Sequence, residues 1–197
     1  MSGRIRRPPA GAEQPRHAPQ QFWGWHRLSD SWAARIVDAA AVQPGELVLD
    51  VGAGDGALTS HLVAAGAQVI AVELHPARGQ ILRQRFADQP VTVVAADAAR
   101  LHLPRRPFRV VANPPYAVTS ALLRQLLSRG SRLHSADLVL QRWVVQRFVE
   151  GRAPGGNRWM RDFVLRRGLS VPRTAFRPPP RQGSAVLVIR RRSAKIP

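Results

Sequence analysis

Cysteine is absent from the 197-residue chain. That excludes a disulfide framework and any thiolate metal site, and it agrees with the reducing cytoplasm in which we expect the protein to work. Carboxylates are scarce too, with 12 Asp and Glu against 30 Lys and Arg. No stretch approaches the roughly 20 consecutive apolar residues of a membrane span, so no membrane partner is expected. The N-terminus is basic (Arg4, Arg6, Arg7) but lacks the apolar stretch of a signal peptide. The six histidines show no metal-ligand spacing, so no metal is expected, and no internal repeat is visible.

What is present begins with charge. The formal charge of +18 is carried almost entirely by Arg. Such an excess repels itself in a compact fold unless an anionic partner offsets it. Nucleic acid is the leading partner, because guanidinium pairs bidentately with phosphate and stacks on bases. A GC-rich genome explains Arg in place of Lys, but it does not explain the shortage of acids. The length suits one compact domain with a proper core, expected as a monomer.

Residues 1–21 are rich in Pro, Gln, Ala and Arg without apolar periodicity, and read as a disordered basic arm. A catalytic domain is expected over 22–192, and a basic tail over 193–197. Ser29 or Asp30 is positioned to cap a helix carrying Trp32, Ala33, Ile36, Val37 and Ala40 on one face. Strands are expected at 47–51, 68–74, 91–97, 108–112 and 136–140, separated by helices at 57–65, 76–86 and 120–127 and followed by one at 142–149. Residues 151–157 read as a loop, and 163–171 and 184–190 as closing strands. This alternation predicts an α/β fold: a Rossmann-like, mostly parallel seven-stranded sheet with helices on both faces. Ligands then bind outside the carboxyl ends of the strands.

Val48-Leu49-Asp50-Val51-Gly52-Ala53-Gly54-Asp55-Gly56 joins the first strand to its helix. Glycines there allow a sharp turn and close approach of a ligand. Glu73 ends the second strand about twenty residues later, where a carboxylate accepts ribose hydroxyls, and Asp97 ends the third, where it accepts from an adenine amino group. A dinucleotide site would want G-x-G-x-x-G and a free helix N-terminus for pyrophosphate. Here the third glycine comes one residue early, and Asp55 would repel a pyrophosphate. S-adenosylmethionine has no phosphate and carries a sulfonium cation, which suits an acid-flanked turn. The expected cofactor residues are Gly52, Ala53, Gly54, Glu73, Leu74, Asp97, Ala98 and Asn113.

Asn113-Pro114-Pro115-Tyr116 follows the fourth strand. The N6 lone pair of adenine is delocalised into the ring, so this amine is a poor nucleophile. An amide oxygen from Asn113 and the Pro114 carbonyl can accept both N6 hydrogens and stabilise the charge that develops during attack. Successive prolines fix that carbonyl's direction and supply no competing N–H. Tyr116 offers a ring on which an extruded base stacks.

These residues resemble the erythromycin-resistance (Erm) family of ribosomal RNA adenine N6-methyltransferases, over about Trp23 to Arg192. The resemblance includes Val171-Pro172-Arg173-Thr174-Ala175-Phe176-Arg177-Pro178-Pro179-Pro180 followed by Ser184-Ala185-Val186. It implies that Phe176 faces Tyr116 across the target adenine. It also implies that the target lies in the peptidyl-transferase loop of 23S rRNA, free or in an assembling subunit, with macrolide-type resistance as outcome. The family's early Gln-(Asn/His)-Phe-Leu motif, which closes over the methyl donor, corresponds to Trp25-His26-Arg27-Leu28. His26 and Leu28 match and join the cofactor set; Trp25 and Arg27 depart from it. The resemblance implies a short form without the family's C-terminal helical domain. Arg4, Arg6, Arg7, Arg142, Arg147, Arg166, Arg173, Arg181, Arg190, Arg191 and Arg192 are then expected to hold RNA, by phosphate contacts that position without reading sequence.

Other readings stay open at this point. The small-subunit rRNA dimethyladenosine transferase shares most motifs but usually carries Leu at the second tetrapeptide position. Adenine in DNA and the glutamine amide of a protein are further substrates for Asn-Pro-Pro-Tyr enzymes. A non-catalytic RNA-binding module would tolerate Asn113→Ala.

Overall fold

A computed structural model describes residues 26–192 of the chain. Arg4, Arg6 and Arg7, the rest of the basic arm and the tail over 193–197 lie outside the described residues. Seven strands form one sheet: β2 (Leu47–Val51), β3 (Gln68–Val72), β4 (Val91–Val94), β5 (Phe108–Ala112), β6 (Leu133–Gln141), β7 (Phe163–Val171) and β9 (Ser184–Arg191). Their order is β4-β3-β2-β5-β6-β9-β7. β9 runs antiparallel to both of its neighbours, β6 and β7; the pairs among β4, β3, β2, β5 and β6 are parallel. A separate two-stranded ribbon pairs β1 (Arg27–Leu28) with β8 (Phe176–Arg177). The α/β, mostly parallel seven-stranded sheet expected from the sequence is the one observed.

Alternation along each central strand sends side chains to two cores. Leu47, Leu49 and Val51 of β2, Val110 of β5, Leu138 of β6 and Leu187 of β9 share one cluster with Leu122 and Leu126 of α4 (Thr119–Leu126) and Val145 of α5 (Arg142–Val149). Val48, Val111, Val139 and Val186 point to the other face, against Ile36 and Val37 of α1 (Asp30–Ala40) and Leu62 of α2 (Ala57–Ala64). Both faces are therefore dry, which is why the strands read as unbroken apolar runs.

Several boundaries differ from the expectation. β3 stops at Val72 and β4 at Val94, which are partners in register, so Glu73, Leu74 and Asp97 lie in the turns just beyond the sheet. β6 starts at Leu133, and residues 156–162, partly expected as loop, form the short helix α6 (Gly156–Asp162). Ser29 takes the N-cap position of α1, but its side chain makes no cap bond; its N–H instead donates to the Ala175 carbonyl at 2.8 Å. Among the described residues no helix is long and apolar enough to cross a membrane.

Candidate active site

The chain runs outward from β2 through β3 to β4, then returns to place β5 on the other side of β2. That reversal opens a crevice at the carboxyl ends of β2 and β5. The turn after β2 and the tetrapeptide after β5 meet there. Gly52 has φ +76°, and a Cβ on it would stand 2.9 Å from Pro115 Cδ and 3.4 Å from Pro114 Cα. Glycine is required both for the left-handed backbone and for the contact.

Glu73 ties this turn to the next strand. It is buried, its Oε2 accepts from the Gly54 N–H at 2.8 Å, and its Oε1 accepts from the His75 N–H at 2.7 Å. One lone pair on each oxygen remains for hydroxyl donors. Asp97 accepts from the Ala99 N–H at 2.8 Å through Oδ1, capping the turn that contains buried Ala98. Leu74 is exposed beside Glu73.

Asn113 bridges the site to the N-terminal segment. Its Nδ2 lies 2.8 Å from the His26 carbonyl. A carbonyl only accepts, so the amide nitrogen faces His26 and Oδ1 is turned the other way. The Pro114 carbonyl accepts no hydrogen bond among the described residues, whereas the Pro115 carbonyl takes the Val118 N–H at 3.1 Å. Two successive residues thus each carry an acceptor that is not used among the described residues. The Tyr116 hydroxyl shares a 2.8 Å hydrogen bond with Ser184 Oγ, which fixes the ring, and burial raises its pKa above the ordinary phenol value.

His26 and Leu28, the two matches to the early motif, are held by the ribbon: Leu28 pairs with Phe176, and His26 Nδ1 donates to the Pro178 carbonyl at 2.8 Å. Phe176 departs from its expected place. It is 2% exposed and belongs to the apolar cluster with Leu28, Ala175 and Val186. The His26 imidazole has its centroid 5.6 Å from Tyr116 and 6.4 Å from Phe176, so a histidine ring, rather than an open slot, contacts both. Sequence pattern could not place it, because the ribbon joins segments about 150 residues apart.

Three further residues, none of them in the expected cofactor set, gather at the glycine turn. Asp50 is buried on β2, accepts from the Thr59 hydroxyl at 2.7 Å through Oδ2, and leaves Oδ1 without a partner. Burial, opposed by the Thr59 bond and reinforced by the Glu73 charge, pushes its pKa up to about 7. Arg27 Nε meets Asp55 Oδ2 at 2.5 Å, latching the N-terminal segment over the glycine turn. Asp50, Arg27 and Asp55 line one small cavity together with Leu28, Gly52 and Asn113. An unpartnered buried carboxylate oxygen in that cavity suits a cationic ligand, so the residues present fit S-adenosylmethionine.

The expected RNA arginines divide between two edges of the sheet. Arg142, Arg147, Arg173 and Arg181 are exposed on or near elements at the carboxyl edge. Arg190, Arg191 and Arg192 are a correction: β9 is antiparallel, with Ser184 opposite Gln141 and Arg190 opposite Ser135, so its end lies at the far edge. Their guanidinium groups are engaged there. Arg190 pairs with buried Asp137 at 2.8 Å, Arg191 donates to the Leu133 and Ser131 carbonyls, and Arg192 donates to the Met160 carbonyl. Arg166 also acts on Asp137, as one of the positive charges that lower its pKa against the larger effect of burial.

Comparison with known proteins bears on the family and the fold. The chain is 36% identical to the mycinamicin-resistance protein MyrB of Micromonospora griseorubida, over 88% of its own length and 58% of that protein. It is 33% identical to ribosomal RNA small subunit methyltransferase A of Pseudomonas putida, over 89% of its length and 70% of that protein. The structure of the 23S rRNA methyltransferase ErmE superposes with a TM-score of 0.77 at 29% identity, covering 84% of this chain and 70% of that one. A Plasmodium falciparum dimethyladenosine transferase at 23% identity and TM-score 0.72 shares the fold. The fold is that of class I S-adenosylmethionine-dependent methyltransferases. Because the family model described as "Ribosomal RNA adenine dimethylase" matches residues 26–197, the chain belongs to the ribosomal RNA adenine dimethylase family.

Proposed function

We propose that this protein is an adenine N6-methyltransferase of 23S rRNA, acting in the peptidyl-transferase loop and conferring macrolide-type resistance. The observation that carries the adenine chemistry is the amide of Asn113, whose nitrogen is bound by the His26 carbonyl so that Oδ1 stands free near an unused Pro114 carbonyl. Bound S-adenosylmethionine supplies a methyl group already activated by a sulfonium. Leu28, Gly52, Ala53, Gly54, Glu73, Leu74, Asp97 and Ala98 are assigned to hold it, with Asp50 answering its charge. The chain's own part is to seat and polarise the amine. Asn113 Oδ1 and the Pro114 carbonyl accept the two N6 hydrogens, which localises the nitrogen lone pair and stabilises the positive charge that grows on it. Tyr116, fixed by Ser184 and neutral at physiological pH, presents its ring to the base.

The large-subunit target is favoured by Pro114, where the small-subunit enzymes usually carry Leu, and by the likeness to MyrB and ErmE. The likeness to small-subunit methyltransferases makes the small-subunit dimethyladenosine site the second reading. Primer extension on both rRNAs from cells expressing the protein, beside an Asn113→Ala control, separates the two. Stops at peptidyl-transferase-loop adenines, absent in the control, are expected. Stops confined to small-subunit rRNA would move the target, and none in either would sink the rRNA assignment.

A further inference from the structure

Trp143 is 53% exposed, although it sits at the second position of α5, whose Val145 and Phe148 are buried. It is the one aromatic among the described residues that is large, apolar and this open. A single exposed apolar side chain is ordinary on a protein surface, but an indole at the junction of two arginine-lined clefts offers a ring on which a base can stack. Two clefts meet at it. One runs from Tyr116 past Arg124 and Arg147 over a floor where Phe148 and Trp159 stack at 5.5 Å with their planes 4° apart. The other is lined by Arg142, Arg167 and Arg173. No carboxylate lines either cleft, and none of the five arginines is ion-paired among the described residues.

Resting on the RNA reading above, we infer that Trp143 is a stacking platform for an unpaired base next to the target adenine. Arg124 and Arg147 hold the backbone on the target's side, and Arg142, Arg167 and Arg173 hold it on the far side. The chemistry matches single-stranded nucleic acid: a positive groove tracks phosphates while an exposed ring stacks a base whatever its identity. Tyr116 and Trp143 lie along one cleft, so a base extruded onto the first leaves its neighbour facing the second. The exposed arginines on either side explain part of the +18 charge without any base-specific contact. The consequence for substrate choice is that the target adenine must have an unpaired neighbour.

The test uses the full chain and a hairpin RNA carrying the loop adenine mapped by primer extension, with 2-aminopurine immediately 5′ or immediately 3′ of it. Wild-type protein is expected to quench one of the two positions on binding. Trp143→Ala should abolish that quenching, weaken RNA binding about 5- to 100-fold and raise KM for RNA while leaving KM for the methyl donor unchanged. Trp143→Phe should keep most of the quenching. The indole is largely exposed, so truncation leaves the core intact, which circular dichroism checks. Quenching at neither neighbour, or a folded Trp143→Ala that quenches and binds as wild type, would overturn the stacking role while RNA methylation stood. A protein that binds no RNA, or methylates only a protein, would overturn both this inference and the rRNA reading.

Discussion

Gly52 packs against Pro115, so the glycine turn after β2 and the tetrapeptide after β5, the proposed seats of methyl donor and amine, are in contact through a residue with no side chain. An alanine at Gly52 would have to adopt φ +76° and place its Cβ 2.9 Å from Pro115 Cδ. The left-handed backbone alone costs about 1–2 kcal/mol, and the clash displaces the Pro114 carbonyl. Gly52→Ala should lower Tm by about 2–8 °C and reduce kcat about 10-fold or more, since small misplacements at a reacting centre are costly. Thermal melts with single-turnover kinetics check it; an active, equally stable variant would show that the two loops are not coupled.

Asn113→Ala removes both the acceptor for N6 and the donor to the His26 carbonyl. We expect kcat to fall about 10²–10³-fold, the range for losing one aligned transition-state partner. Asn113→Asp should be no better, because a carboxylate cannot donate to that carbonyl. Rapid-quench assays with the mapped RNA would decide, and a near-wild-type rate for either variant would remove Asn113 from the chemistry.

The Arg27–Asp55 pair replaces a hydrophobic residue of the early motif with an ion pair. Both side chains are partly exposed, so the pair contributes at most about 1 kcal/mol. Arg27→Ala should weaken donor binding about two- to fivefold at low salt and hardly at all at 1 M salt, as read by calorimetry. A salt-independent loss would mean that Arg27 acts by packing.

Asp50 gives a pH dependence whose sign can be worked out. Its carboxyl, ordinarily near 3.8, titrates at about 7 in the folded protein because of burial, with Glu73 adding to the rise and Thr59 opposing it. The folded state therefore keeps a proton that the unfolded chain releases. Stability from this group is fully present below pH 4 and is lost as pH climbs to about 7, by on the order of 4 kcal/mol. Asp50→Asn should flatten this part of the stability–pH curve. Donor affinity in wild type should rise between pH 6 and 8 as the carboxylate ionises, and remain flat in the variant. Calorimetric titration across that range would expose a pH-independent wild type, which would place Asp50 outside the donor's charge balance.

Arg190→Ala is expected to affect stability rather than RNA affinity. It strands Asp137, which is nearly inaccessible, but Arg190 is about a third exposed. The loss should be about 2–3 kcal/mol, below the roughly 3–5 of a fully buried pair. It should shrink at low pH, where burial has already raised the Asp137 pKa and the carboxyl takes a proton. A weakened RNA complex with unchanged Tm would return Arg190 to the RNA surface.

Much of the candidate site's geometry was legible because its residues are fixed by local rules. The glycines of the β2 turn, Glu73, Asp97 and Asn113-Pro114-Pro115-Tyr116 each follow an apolar strand at a spacing that only a parallel sheet explains, and the structure gathers them at one edge. Arg190 to Arg192 were illegible for the converse reason. A basic run after a strand has no sign of direction, and only the antiparallel pairing of β9 shows that it ends away from the site. Trp143 was hidden among ordinary apolar residues of an amphipathic helix until burial distinguished it from Val145 and Phe148.

The sequence by itself determined the α/β alternation, the acid-flanked glycine turn and the polar tetrapeptide, because strand periodicity, turn chemistry and hydrogen-bonding type are properties of a few neighbouring residues. Tertiary structure alone decided that the His26 carbonyl orients Asn113, that Arg27 closes on Asp55, and that the His26 ring contacts both Tyr116 and Phe176. Each of these joins segments separated by 28 to about 150 residues. Such contacts depend on how the N-terminal segment and the Pro-rich loop pair as a ribbon, which no local pattern encodes.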